Sequence, residues 1–131
     1  MVGFLIITHH ELAGALLAAA RMLGADTGHM RAVGLRAEEG PEAFLMRVEQ
    51  AVKEADTGDG VVALADLFGG TPFHTVFRIA QQRDVSVVTG VNLPMILAAA
   101  FELDGTQSRE EAAKALCELA AGQIRVYGKV V

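Results

Sequence analysis

One cysteine, Cys117, is all this chain has, so no intrachain disulfide can form. It lies in an alanine-rich helical pattern and is expected to be a buried small hydrophobe rather than a reactive thiol. Serine is almost as scarce. Ser86 and Ser108 are the only two, and neither sits in a Gly-x-Ser-x-Gly elbow, which disfavours serine-hydrolase chemistry. Lys/Arg clusters are missing, and with a net charge of −5 and a pI of about 5.3 this argues against nucleic acid as a partner. No apolar run approaches the roughly 18 residues of a membrane span. The apolar N-terminus lacks the basic flank of a signal peptide. A cytoplasmic location is expected.

What is present is ample for one core. The chain has 131 residues, 52% of them hydrophobic, so a single domain over 1–131 is expected and disorder is not. Repeats, linkers and low-complexity tracts are absent. Continuous apolar runs predict strands at Val2–Thr8, Met30–Leu35, Val61–Ala65 and Val85–Thr89. Helical spacing between them gives apolar faces of Leu12, Leu16, Ala19, Ala20 and Leu23, then Phe44, Val48, Ala51 and Val52. Val76, Ile79 and Ala80 follow in the third helix, and Ile96, Leu97, Ala100 and Phe101 in the fourth. Pro41 suits an early helical position, Thr71 and Pro72 resemble a cap and first residue, and Asn92 or a neighbour should cap the fourth helix. Ser108 and Glu111 match a capping box for a fifth helix, ended by Gly122. The tail, Gln123 to Val130, alternates like a last strand.

The order is β-α-β-α-β-α-β-α-α-β. Right-handed crossovers make this an α/β fold, an open parallel four-stranded sheet with helices on both faces. The alternating tail reads either as an antiparallel edge or as a strand paired with another subunit.

The chemistry gathers at strand ends. His9 closes the first strand, and Asp66 closes the third just ahead of Leu67-Phe68-Gly69-Gly70-Thr71-Pro72-Phe73. Ligands in open α/β sheets collect at that carboxyl edge. Strand order 2-1-3-4 brings the two ends together. An aspartate beside an imidazole fixes its tautomer and stabilises its charged form. Gly69, Gly70 and Thr71 precede a helix, where free N–H groups suit a phosphate. Together these suggest phosphoryl transfer through a phosphohistidine, with His9 as nucleophile and Asp66 orienting it. Thr8, His10, His74 and Asn92 are candidates for the rim. Competing readings remain: a solvated histidine, an aspartate that merely caps its turn, or a zinc site from His9, His10, His74 and Asp66.

Three blocks, Thr8-His9, Asp66 to Phe73, and Gly90-Val91-Asn92-Leu93-Pro94-Met95, resemble the IIA component of the mannose-type sugar phosphotransferase system, in that family's order. The resemblance spans essentially the whole chain, and the middle block is the most specific. It implies a phosphocarrier that takes phosphate from HPr on His9, with Asp66 holding the ring, and passes it to a IIB domain for sugar uptake. It implies no metal or other cofactor, a homodimer exchanging the last strand, and peripheral association with a membrane permease. Two positions depart from the pattern. His10 stands where relatives often carry Gly, and His74 where they often carry Asn. The chain ends soon after its last strand, so the IIB partner is expected to be a separate protein. Alternative roles are a regulatory phosphoprotein of the same family, a phosphotransferase subunit serving dihydroxyacetone kinase, and a binding module without catalysis.

Overall fold

A parallel sheet organises the chain, as its continuous apolar runs require. The computed structural model describes residues 1–129. Strands β1 (Gly3–His9), β2 (Met30–Leu35), β3 (Val61–Ala65) and β4 (Val85–Thr89) form one sheet in the order β2-β1-β3-β4, all pairs parallel. Helices α1 (Leu12–Met22), α2 (Pro41–Ala55), α3 (Gly70–Ala80), α4 (Leu93–Phe101) and α5 (Arg109–Ala121) complete it.

The period of two along β1 sorts the helices into layers. Phe4 and Ile6 face one cluster with Leu17 of α1, Ile96 of α4 and Leu116 of α5. Leu5 and Ile7 face the other, with Phe44 and Val48 of α2 and Val76 of α3. Both faces are therefore covered, which is why every residue of β3 is buried. Slipping β1 by one residue would swap these two sets, and the fully buried Leu5, Ile6 and Ile7 are each worth about 1.5–3 kcal/mol in burial.

Several expected inner faces are rotated. In α1 the buried stripe is Ala13, Leu17 and Ala20, while Leu12 and Leu23 are about half exposed. In α4 it is Met95, Ile96, Ala98 and Ala99, and Phe101 is exposed. Both helices are apolar nearly all round, so spacing alone does not single out the inner side. Cys117 is exposed rather than buried, because the inward stripe of α5 is Ala112, Leu116 and Ala120 and position 117, next after Leu116, is rotated about 100° away from that line. The α5 capping box of Ser108 and Glu111 forms as expected, and Asn92 caps α4 by accepting from the Met95 N–H at 2.9 Å. The tail differs from expectation. Residues 123–129 form no strand and are exposed, since nothing in one chain pairs with them; Val130 lies outside the described residues. No helix among the described residues is long and apolar enough to cross a membrane.

Candidate active site

Register builds the site. Ile7 pairs with Ala65 across β1 and β3, so the next residues of both strands emerge side by side. Asp66 there meets His9 twice through one oxygen. Its Oδ2 accepts the His9 backbone N–H at 3.0 Å and lies 2.9 Å from the ring Nδ1. Its Oδ1 accepts the Leu67 N–H at 3.0 Å. Burial pushes the Asp66 carboxyl up, but the His9 backbone and ring hydrogen bonds, the charge of the His9 ring and the Leu67 N–H together hold it below the usual carboxylate range. An ionised carboxylate only accepts, so Nδ1 carries a proton, and in the neutral form of the ring the lone pair is on Nε2.

That second nitrogen faces Gly70. A Cβ added at Gly70, whose φ is 79°, would stand 3.2 Å from His9 Cε1 and 3.5 Å from Nε2. Gly70 begins α3, and Gly69, not Thr71, is its cap, with a φ of 88° and no side-chain hydrogen bond. Thr71 and Pro72 are inside the first turn, each two residues deeper than their sequence suggests. The first N–H groups of a helix lack intrahelical acceptors, and Pro72 has none, so those of Gly69, Gly70 and Thr71 are the ones left for a ligand. The positive end of the α3 dipole adds to them. The arrangement suits an imidazole nucleophile with an anion held in front of it.

The other expected rim residues divide. Thr8 is not at the rim. It is fully buried, its hydroxyl accepting the Ala13 N–H at 2.8 Å and donating to the His9 carbonyl at 3.1 Å. It thereby ties the His9 turn to the start of α1. His10 has a φ of 53°, the one positive φ among non-glycine residues described. Its N–H donates to Leu35 O at 2.8 Å, and a Cβ at Gly34 would collide with its carbonyl oxygen. This left-handed turn explains why glycine suits the position. His10 faces a groove shared with Arg36 and Arg47. His74 is exposed on α3, edge-on to Phe73 at 5.4 Å, and Asn92 serves α4 as its cap. No group of three His, Cys, Asp or Glu suited to a metal occurs among the described residues. Sequence reasoning missed the aromatic ladder beside the site. Phe73 packs on Phe68 at 5.1 Å and stacks with Phe77 at 5.5 Å, and Phe68 is largely exposed. Their spacing, two residues a turn apart on α3 and one in the loop before it, was the available signal.

The depressed Asp66 carboxyl has a pH consequence. Its folded pKa lies below the unfolded value of about 3.9, so its contribution to stability is complete above that value. It is lost as pH falls through the lower folded value. The melting-temperature advantage of the native chain over Asp66→Asn is therefore expected to shrink below about pH 4. Thermal unfolding followed by circular dichroism across the acid range measures it; a constant difference would mean that Asp66 titrates alike in both states.

Known proteins resemble this chain in sequence and in fold. The chain is 29% identical over 111 residues to the PTS system mannose-specific EIIAB component of Escherichia coli, covering 84% of this chain and 34% of that protein. It thus spans about a third of that relative's length. It is 30% identical over 98 residues to the PTS system fructose-specific EIIA component of Bacillus subtilis, covering 74% and 67%. The mannose/sorbose specific IIA subunit of Enterococcus faecalis shares its fold at a TM-score of 0.87, with 24% identity and coverage of 99% and 97%. A PTS IIA protein associated with the fucose utilization operon of Streptococcus pneumoniae superposes at 0.78, with 25% identity and coverage of 95% and 96%. The EIIA-man model, described as PTS system fructose IIA component, matches residues 3–116. The chain belongs to this IIA family of the phosphotransferase system.

Proposed function

We propose that this protein is a phosphoryl carrier that accepts phosphate from HPr on His9 and delivers it to a IIB protein for sugar uptake. The observation that carries the reading is the single oxygen of Asp66 bound to both the backbone N–H and Nδ1 of His9, which leaves Nε2 as the nucleophile. In the forward step the Nε2 lone pair attacks the phosphorus of the donor's phosphohistidine. The P–N bond to the donor ring breaks and a P–Nε2 bond forms. The ring of His9 becomes cationic, and Asp66 stabilises that charge. The N–H groups of Gly69, Gly70 and Thr71 bind the phosphoryl oxygens as charge shifts during transfer. Delivery to IIB is the reverse exchange with a new acceptor. Nothing in this scheme calls for a metal or nucleotide. Incubation with phosphoenolpyruvate, enzyme I and HPr, followed by intact mass, tests it; a chain that gains no phosphate would overturn it.

The space before Nε2 should be narrow. Gly70→Ala places a methyl against the ring and strains a positive φ, so labelling is expected to slow about tenfold or more. An unchanged rate would show that phosphorus does not approach past Gly70.

The reading includes a homodimer. The open edge of β4 and the exposed Ile124, Val126 and Tyr127 support exchange of the terminal segment as a strand between two copies. Light scattering is expected to give about twice 13.8 kDa. Deleting residues 123–131 should give monomer or aggregate, and a full-length monomer at high micromolar concentration would rule out the exchange.

A further inference from the structure

Thr8 is the one polar side chain in the run Val2–Thr8, and it is fully buried at the end of β1. Burying a hydroxyl costs stability unless it is hydrogen-bonded. Valine has nearly the same shape, so packing alone does not call for threonine here. The oxygen is used in both directions. It accepts the Ala13 N–H at 2.8 Å and donates to the His9 carbonyl at 3.1 Å. Ala13 is the second residue of α1, and the cap residue Glu11 makes no side-chain hydrogen bond. Thr8 therefore does the work of a capping side chain from further upstream.

The bond to His9 has no part in capping. The His9 carbonyl and the His10 N–H belong to one peptide group, and both its ends are pinned. Thr8 holds the carbonyl, and Leu35 O accepts the N–H at 2.8 Å. From there the chain reaches α1 through His10 and Glu11 alone, with His10 in the left-handed region at a φ of 53°. A residue with a Cβ stays in that region only where its surroundings enforce it. Were this peptide free to turn, His10 would relax. Because β1 and α1 anchor both ends, the change would be taken up at His9. We propose that Thr8 is a positioning residue for phosphoryl transfer, its hydroxyl pinning the His9–His10 peptide so that Nδ1 stays on Asp66 and Nε2 stays free to attack. The Nδ1 contact is 2.9 Å, and lengthening it by about 1 Å takes it out of hydrogen-bond range. The rate effect rests on the phosphoryl-carrier reading; the ring orientation can be read with no phosphate present.

Thr8→Val keeps the shape and removes the hydroxyl, and Thr8→Ser restores the hydroxyl. Two readouts on full-length chains separate positioning from stability. Ring-nitrogen NMR shifts of isotope-labelled histidine, at a pH where the ring is neutral, report which nitrogen of His9 carries the proton. Rapid-quench labelling over a range of phosphorylated HPr concentrations reports rate and half-saturation. The native and Thr8→Ser chains should hold the proton on Nδ1. In Thr8→Val the two nitrogens should move toward averaged shifts. Its saturating rate should fall about tenfold to a hundredfold with half-saturation unchanged, as a small misplacement of a reacting group allows. Val48→Ala, which opens the core beneath α2, should lose thermal stability yet keep the native tautomer and rate. A native tautomer or a native rate in a folded Thr8→Val chain would overturn the inference. So would a Val48→Ala chain that loses both, because the readouts would then follow stability alone. If Thr8→Val does not fold, Thr8→Ser decides: native tautomer and rate support the inference, and loss of either overturns it. A native chain that takes no phosphate fails the carrier reading, while the nitrogen shifts still decide whether Thr8 sets the ring.

Discussion

His9→Ala is expected to abolish phosphoryl labelling while leaving the fold intact. The loss should be complete, because no other group can supply the lone pair that Nε2 holds beside Gly70. The fold should survive because the His9 side chain is 44% exposed and belongs to neither core cluster. In the native chain the adduct should be acid-labile and base-stable, as a phosphorus–nitrogen bond is. His10→Ala is the matched control. Its left-handed backbone turns it toward the groove with Arg36 and Arg47, so His10→Ala should still label. Full labelling of His9→Ala with loss in His10→Ala would move the nucleophile by one residue and sink the assignment.

Asp66→Asn is expected to slow transfer by roughly two to four powers of ten without unfolding the domain. The carboxylate receives donors on both oxygens, two from His9 on Oδ2 and one from Leu67 on Oδ1. An asparagine has one acceptor oxygen. Its NH₂ must face either the Leu67 N–H or the two His9 donors, so one donor meets another in either orientation. The negative charge that steadies the phosphorylated ring is lost as well. Rapid-quench labelling from phosphorylated HPr gives the rate, and circular dichroism gives the fold. A native rate in a folded Asp66→Asn chain would show that the hydrogen bond at Nδ1 does nothing for transfer.

The sheet was legible because its strands are nearly unbroken apolar runs between turns. β2, β3 and β4 match the expected bounds, and β1 begins and ends one residue later than expected. The pairing of His9 with Asp66 followed from strand order 2-1-3-4 alone, since parallel neighbours deliver their carboxyl ends to one edge. Caps with a side-chain mechanism were readable too: Ser108, Glu111 and Asn92 all serve as their types suggest. The start of α3 was not, because Thr71-Pro72 imitates a cap while the backbone turns at Gly69 through a positive φ. Thr8 looked like a rim residue for its position, yet its hydroxyl is used internally to hold α1.

By itself, then, the sequence determined the order of elements, the two-sided burial of the sheet and the meeting of an imidazole with a carboxylate, since each depends on local pattern and chain direction. Tertiary structure alone decided which side of α1, α4 and α5 turns inward, and with it the exposure of Cys117. α1 and α4 are so rich in alanine and leucine that burial is set by the neighbouring layer, not by a polar stripe, while in α5 Cys117 falls just off the buried line of Ala112, Leu116 and Ala120. It also decided which ring nitrogen of His9 meets Asp66, because the contact of Nδ1 depends on the register of β1 against β3. The tail from Gln123 is the remaining case: its alternation is that of a strand, but a strand needs a ladder, and within one chain residues 123–129 have none.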